Sequence, residues 1–168
     1  MKRIAIIGAP GVGKSTLAKQ LSKVLQIKIW HMDKLFWQPG WVQISRKELQ
    51  IKVKAILKDP SWIIDGNYLN TLDMRLQAAD TIIFLDYPIW LCLLGVIKRR
   101  IIYRDKVRTD ITEGCPEQLD YQFIRYLLRF PRDQKGLIYN KLQKLDPSTK
   151  VLIFHNRHSL EKYLLDLN

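Results

Sequence analysis

The chain has 168 residues, 47% of them apolar and 26% charged, a composition that fits one folded domain and excludes a disordered or fibrous chain. Two cysteines outside any CxxC, and three histidines without zinc-finger spacing, argue against a disulfide framework or a structural metal and make a reducing compartment the default. Lysine and arginine number 28 against 16 aspartates and glutamates, so the net charge of +12 points to anionic partners, a polyphosphate or a nucleic acid.

In chain order, Lys2-Arg3 and Ile4–Ile7 could open a secretory signal, but the apolar run stops at Gly8 and Lys14 follows soon after. Arg3–Ala9 instead reads as a strand buried on both faces of a parallel sheet. Lys14–Leu25 places Leu17, Ala18, Leu21, Val24 and Leu25 on one helical face, and Ile27–Asp33 reads as a second strand. Ser45-Arg46-Lys47-Glu48 has the form of a capping box before a helix with Leu49, Val53, Ile56 and Leu57 inward. Ser61–Asp65 and Thr81–Asp86 are short strands ending in aspartate, and Pro88 opens a helix to about Arg100. The stretch Thr81–Ile97 is too short for a bilayer span and contains Asp86 and Pro88, so a soluble cytoplasmic protein without membrane attachment is expected. Cys115-Pro116 introduces a helical region broken or kinked at Pro131, with Leu137, Ile138, Leu142 and Leu145 continuing the pattern. Lys150–His155 is a fifth strand and Ser159–Leu167 a closing helix. Repeated βα units predict an α/β domain over residues 1–168, a parallel sheet with helices on both faces.

One motif carries chemistry by itself. Gly8-Ala9-Pro10-Gly11-Val12-Gly13-Lys14-Ser15-Thr16 is a complete GxxxxGK[ST] between an apolar strand and an amphipathic helix. Its glycines let backbone N–H groups turn around phosphate oxygens, and the helix N-terminus adds partial positive charge. Lys14 would reach the β- and γ-phosphates and Ser15 would ligate Mg²⁺, so ATP and Mg²⁺ are the expected cofactors.

Three aspartates close predicted strands: Asp33, Asp65 and Asp86. Ligands of open α/β sheets sit outside the carboxyl ends of the strands, so all three could face the site. Asp86 precedes Tyr87-Pro88 and reads as a helix cap. Asp65 is followed by the turn Gly66-Asn67-Tyr68, which makes it the first choice for orienting Mg²⁺. Asp33 is the candidate on the acceptor side.

The Gly8–Thr16 loop, the strand end Trp62–Tyr68 and the basic helix end Lys98-Arg99-Arg100 resemble those of adenylate kinase-related P-loop kinases. More narrowly, His31-Met32-Asp33, Phe36–Trp41, Asp65–Tyr68, Arg75-Leu76, Ala79-Asp80-Thr81 and Glu113–Glu117 resemble segments of the small bacterial DNA topology modulation proteins. The resemblance implies a P-loop NTPase three-layer sandwich, a five-stranded parallel sheet of order 2-3-1-4-5 and ATP-dependent phosphoryl transfer. It implies a small lid at about 101–118, and an acceptor-side cap is expected at about 33–60. It places Asp65 near Mg²⁺ and the acceptor, with Arg99 or Arg100 at the mouth of the lid. Where adenylate kinases continue Asp-Gly with Phe-Pro-Arg, this chain has Asn67-Tyr68-Leu69, so the resemblance does not extend to AMP as acceptor. Gly95 stands where a larger or basic residue is expected in the narrower group.

Guanidinium groups over a transferring phosphoryl both position it and neutralise its charge. Lys98, Arg99, Arg100, Arg104 and Arg108 before the acidic end of the lid, with Arg125, Arg129 and Arg132 after it, form the candidate pool. Trp30, Phe36, Trp37, Trp41 and Tyr68 cluster after the second and third strands, where aromatic faces would hold a flat acceptor or pack a small cap; Trp37 and Tyr68 join Asp33 as acceptor candidates. Cys92 reads as a core residue and Cys115 as a thiol with possible reactivity. The acceptor is expected to be a nucleotide, a nucleoside or a small metabolite. The alternative is a nucleic-acid-associated P-loop protein affecting DNA topology, in which the positive charge serves a phosphate backbone.

Overall fold

Strand β1 (Arg3–Gly8) supplies Ile4, Ala5, Ile6 and Ile7, none of which retains any solvent exposure. A strand buried this completely must lie at the centre of a sheet covered on both sides. The computed structural model, which describes residues 1–104, 108–116 and 120–167, places it there. β1 pairs in parallel with β5 (Trp62–Asp65) on one side and β6 (Thr81–Leu85) on the other. β2 (Ile29–His31) extends the sheet beyond β5, and β7 (Lys150–Phe154) extends it beyond β6. The order β2-β5-β1-β6-β7 is the expected 2-3-1-4-5 once strands are counted within this sheet. Every residue of β5 and β6 is buried, so helices cover both faces.

Between β1 and β2 runs α1 (Lys14–Leu25), which turns Leu17, Ala18 and Leu21 inward. α3 (Arg46–Ile56) starts as its capping sequence requires: the Ser45 hydroxyl accepts the Glu48 N–H at 3.1 Å. The second strand is shorter than expected. It stops at His31, and Met32–Phe36 form a short helix, α2, so Asp33 lies in a first helical turn and not at a strand end. A small antiparallel hairpin of β3 (Trp37–Gln38) and β4 (Val42–Gln43) follows.

Helix α4 (Leu69–Ala78) leads into β6, and α5 (Ile89–Ile102) leaves it. α6 (Tyr121–Phe130) begins after Asp120, whose carboxylate accepts the Phe123 N–H at 2.7 Å, and not at Cys115-Pro116. Pro131 does not break the chain there. Residues Pro131–Lys135 form a π-helical segment, a wider winding that tolerates the missing N–H, and α7 (Gly136–Leu142) continues from it. α8 (Arg157–Leu165) packs against β7. Among the described residues, no helix is long and apolar enough to cross a membrane.

Candidate active site

The carboxyl ends of β1, β2 and β5 open on one cavity of about 1000 Å³. Residues Pro10–Thr16 form its floor. Gly11 and Gly13 hold left-handed backbone angles (φ 77° and 104°) that other residues adopt at a cost, and Gly13 caps α1. Gly11 is constrained a second way: a Cβ there would strike the Cys92 carbonyl and Val96 of α5. The opposing position is Gly95, where a Cβ would strike the Gly11 carbonyl. Loop and helix meet backbone to backbone here, and only a hydrogen fits between them, which is the physical reason this chain carries glycine at 95.

Lys14 is folded onto its own loop, its ammonium donating to the carbonyls of Gly8 and Ala9, each at 2.9 Å. Burial pushes its pKa down, against the attraction of Asp65 and Asp33. Asp65 ends β5, directly in register with His31 at the end of β2. His31 Nδ1 lies 2.8 Å from Asp65 Oδ1, and both residues are buried. The ring N–H donates, fixing one oxygen of a buried carboxylate.

The turn after Asp65 is held from two directions. Gly8 N–H donates to Asn67 Oδ1 at 3.0 Å, tying the turn to the start of the phosphate loop. Arg75, fully buried in α4, donates to the carbonyls of Gly66, Asn67 and Tyr68. Burial pushes the Arg75 guanidinium down to about 10, still charged at neutral pH.

Asp33 faces the cavity from α2 and accepts a hydrogen bond from the Tyr68 hydroxyl at 2.7 Å. Burial pushes the Asp33 carboxyl above its ordinary value, outweighing that bond. Trp37 and Tyr68 line the cavity beside it, as expected, joined by Phe36 and Trp41. Trp30 does not line it; Lys28 sits 3.9 Å above its ring instead.

The described part of the expected lid is mixed: Ile101, Ile102 and Arg104 are exposed, and a buried group follows. Arg108, Asp110, Ile111 and Cys115 are buried. Arg108 grips Asp110 through Nε (3.1 Å) and Nη2 (2.6 Å). Burial alone would raise Asp110, but the Arg108 guanidinium and the Ser15 hydroxyl hold it well below the usual carboxylate range. Lys19 of α1 donates to the Thr109 hydroxyl at 2.7 Å. From the other side, Thr112 donates to the Trp37 carbonyl (2.5 Å), Gly40 N–H to the Gly114 carbonyl (2.9 Å) and the Trp41 indole to the Pro116 carbonyl (3.2 Å). The Cys115 thiol is buried and directed at the Gln38 carbonyl at 3.2 Å, not presented as a reactive group. Expected lid residues 105–107 and 117–118 lie outside the described residues.

The candidate arginines separate by helical phase. Lys98, Arg99 and Ile102 of α5 line the cavity and Arg100 does not, since each residue turns about 100° from the last. Arg108 lines the cavity already paired, whereas Arg104 and Arg132 are exposed outside it. Asp86 is corrected as well. α5 starts without a side-chain cap, and Asp86 accepts from the Tyr139 hydroxyl (2.8 Å) and lies 2.9 Å from the Lys135 ammonium and 3.3 Å from His155 Nδ1, away from the cavity.

Among the described residues, no three His, Cys, Asp or Glu side chains gather into a metal cluster. A hydroxyl, one carboxylate and phosphate oxygens are the ligand set that suits Mg²⁺, which keeps much of its water. Ser15 and Asp65 fit that set.

Neither a protein-family model nor a curated protein matches the sequence. Solved structures do match. A shikimate kinase from Acinetobacter baumannii in complex with shikimate has TM-score 0.59 at 16% identity, covering 99% of this chain and 92% of that one. A shikimate kinase from Bacteroides thetaiotaomicron has TM-score 0.57 at 16% identity, covering 99% and 96%. A deoxyadenosine kinase from M. mycoides with bound dATP has TM-score 0.53 at 14% identity, covering 99% and 98%. The chain has the fold of the P-loop kinases.

Reading the sequence placed His31, Asn67 and Arg75 in the segments that carry the resemblance but gave them no part in the candidate site. Their one-dimensional signal is proximity to Asp33 and Asp65; a helical arginine otherwise reads as a surface residue.

Proposed function

We propose that the protein is an ATP-dependent phosphotransferase acting on a small molecule, in the cytoplasm. One observation carries this reading: Lys14, Asp65 and Asp33, from three separate segments, converge on a single cavity floored by a phosphate loop. The A. baumannii kinase in complex with shikimate and the M. mycoides kinase with bound dATP supply precedents for small ligands on this fold.

The loop's backbone N–H groups would hold the β- and γ-phosphates of ATP, with Lys14 released from the Gly8 and Ala9 carbonyls to meet them. Ser15 and Asp65 would hold Mg²⁺, which supplies charge neutralisation across the phosphates. Asp33 takes the proton of the acceptor hydroxyl as its oxygen bonds to the γ-phosphorus, while the β–γ bridge breaks and ADP leaves. A buried carboxylate of raised affinity for protons suits that task. Arg99 stabilises the equatorial oxygens, and the segment at about 101–118 acts as the lid. The narrower kinship with DNA topology modulation proteins rests on the sequence segments that resemble theirs.

The test is ADP release in the presence of Mg²⁺ and ATP, screened over nucleosides, nucleotides and small metabolites. Acceptor-dependent ADP release is expected. Asp65→Asn is expected to weaken Mg²⁺-ATP binding about 10-fold or more while sparing metal-free ATP. ATP binding without transfer to any acceptor, joined to DNA binding with a steep salt dependence, would shift the reading to the nucleic-acid-associated alternative.

A further inference from the structure

The cavity wall differs from one side to the other, although acidic side chains (Asp65, Asp110, Asp120 and Glu161) line it as well as basic ones. Lys14, Lys19, Lys98 and Arg99 line the half around the phosphate loop and α5. The facing half, from α2, the β3–β4 hairpin and the turn after β5, presents Asp33, Phe36, Trp37, Trp41 and Tyr68. Arg108 also reaches the cavity, where it is paired with Asp110 through Nε and Nη2.

The four aromatic rings are partly exposed and meet at steep angles. Phe36 lies 5.0 Å from Trp37 at 77° and 5.0 Å from Tyr68 at 64°, and Trp37 lies 5.2 Å from Trp41 at 79°. Edge-to-face packing of this kind builds a corner of ring faces and not a closed stack. Two of the rings stand on strained backbone: Trp41 at φ 62° and Tyr68 at φ 29°, values that bulky side chains avoid. Such strain persists where surrounding structure holds it, and it concentrates at ligand clamps. Here the Trp41 indole is pinned to the Pro116 carbonyl, and the Tyr68 carbonyl and hydroxyl are pinned by Arg75 and Asp33.

We infer that the acceptor is a flat ring compound, of which nucleosides are the class tested, that carries a hydroxyl and no anionic group, held against this corner with its hydroxyl toward Asp33. This rests on the phosphotransferase reading and narrows it. A phosphate or carboxylate placed here would meet the Asp33 carboxylate in a half-buried wall with its nearby guanidinium already engaged by Asp110, so like charge and lost hydration both oppose it. A neutral ring meets neither penalty and covers apolar ring faces. The reading separates this chain from kinases that take a monophosphate or a carboxylic acid as acceptor.

The probes are adenosine, guanosine, cytidine and uridine, each paired with its 5′-monophosphate, together with shikimate as the carboxylate. Each is titrated against tryptophan fluorescence with the phosphate loop filled by a non-hydrolysable ATP analogue and Mg²⁺. At least one nucleoside is expected to bind ten-fold or more tightly than its own monophosphate and than shikimate. Trp37→Leu is expected to weaken that nucleoside ten-fold and leave the affinity for the ATP analogue unchanged. Asp33→Asn is expected to narrow the gap within the pair. Equal or tighter binding of a monophosphate or shikimate, or no preferential binding of any nucleoside, overturns the inference. ADP release with a monophosphate would overturn it and leave the phosphotransferase standing. Preferred nucleoside binding without ADP release would do the reverse.

Discussion

The two halves of the cavity are built by different means. The phosphate side is one run of nine residues, Gly8–Thr16, whose backbone forms the cradle and whose side chains are mostly small. The acceptor side is assembled from α2, a two-stranded hairpin, the turn after β5 and residues 108–116, and it is held by side-chain bonds between segments up to 78 residues apart. A backbone cradle fits any polyphosphate, since it reads a shape common to all of them. A wall of side chains can be exchanged piece by piece, so the acceptor side is where the fold tunes what it accepts.

The contrast is tested hardest at Lys14. Lys14→Ala is expected to lower phosphoryl transfer about 1000-fold, with the melting temperature held within a degree or so, because the side chain serves the ligand more than the fold. A parental rate in the folded variant would remove Lys14 from the mechanism. On the acceptor side the order of effects reverses. Arg75→Met leaves the carbonyls of Gly66, Asn67 and Tyr68 without their buried donor, and a loss of about 3 kcal/mol in urea unfolding is expected. An unchanged unfolding midpoint would show that the turn stands without it.

Gly95→Ala probes the seam between the loop and α5. Alanine in a helix interior normally gains up to about 1 kcal/mol over glycine. Here the added methyl meets the Gly11 carbonyl, and the overpacking cost of about 2 kcal/mol wins. Lower stability together with weaker ATP binding is expected; a stabilised variant with normal ATP affinity would refute the seam.

The smallest effect belongs to Asp110. Its folded pKa lies below the ordinary 3.8, so its contribution is present above that value and is lost as pH falls toward the lower folded value. Asp110→Asn is expected to cost about 1 kcal/mol at pH 7. The difference between variant and parent should begin to shrink as pH falls through 3.8 and go on shrinking below it; a constant offset across that range would exclude the ion pair as the cause.

These differences also explain what could be read in advance. The loop motif, its strand and its helix are contiguous, so local periodicity and spacing identified them, and Asp65 followed from the turn behind it. The His31–Asp65 bond depends on the register of two strands 34 residues apart, which no local pattern encodes. Asp86 sits where a cap would sit, yet its bonds go to Lys135, Tyr139 and His155, supplied by a π-helical segment, a helix and the residue after β7. The role of Gly95 becomes visible only when Gly11 lies opposite it, and residues 108–116 look polar in sequence while burying Ile111 and Cys115 between two other elements.

The seam of Gly11 and Gly95 has a mechanical consequence. Two backbones touching without intervening side chains act as a fulcrum, and α5 extends beyond it as a stiff arm of about 10 Å to Ile102. A tilt of about 10° at the fulcrum displaces the far end of that arm by about 2 Å. Arg99 rides on the arm roughly midway and moves by about half as much. The loop's response to phosphate would thus reach the mouth of the cavity as a lever stroke set by the length of the helix.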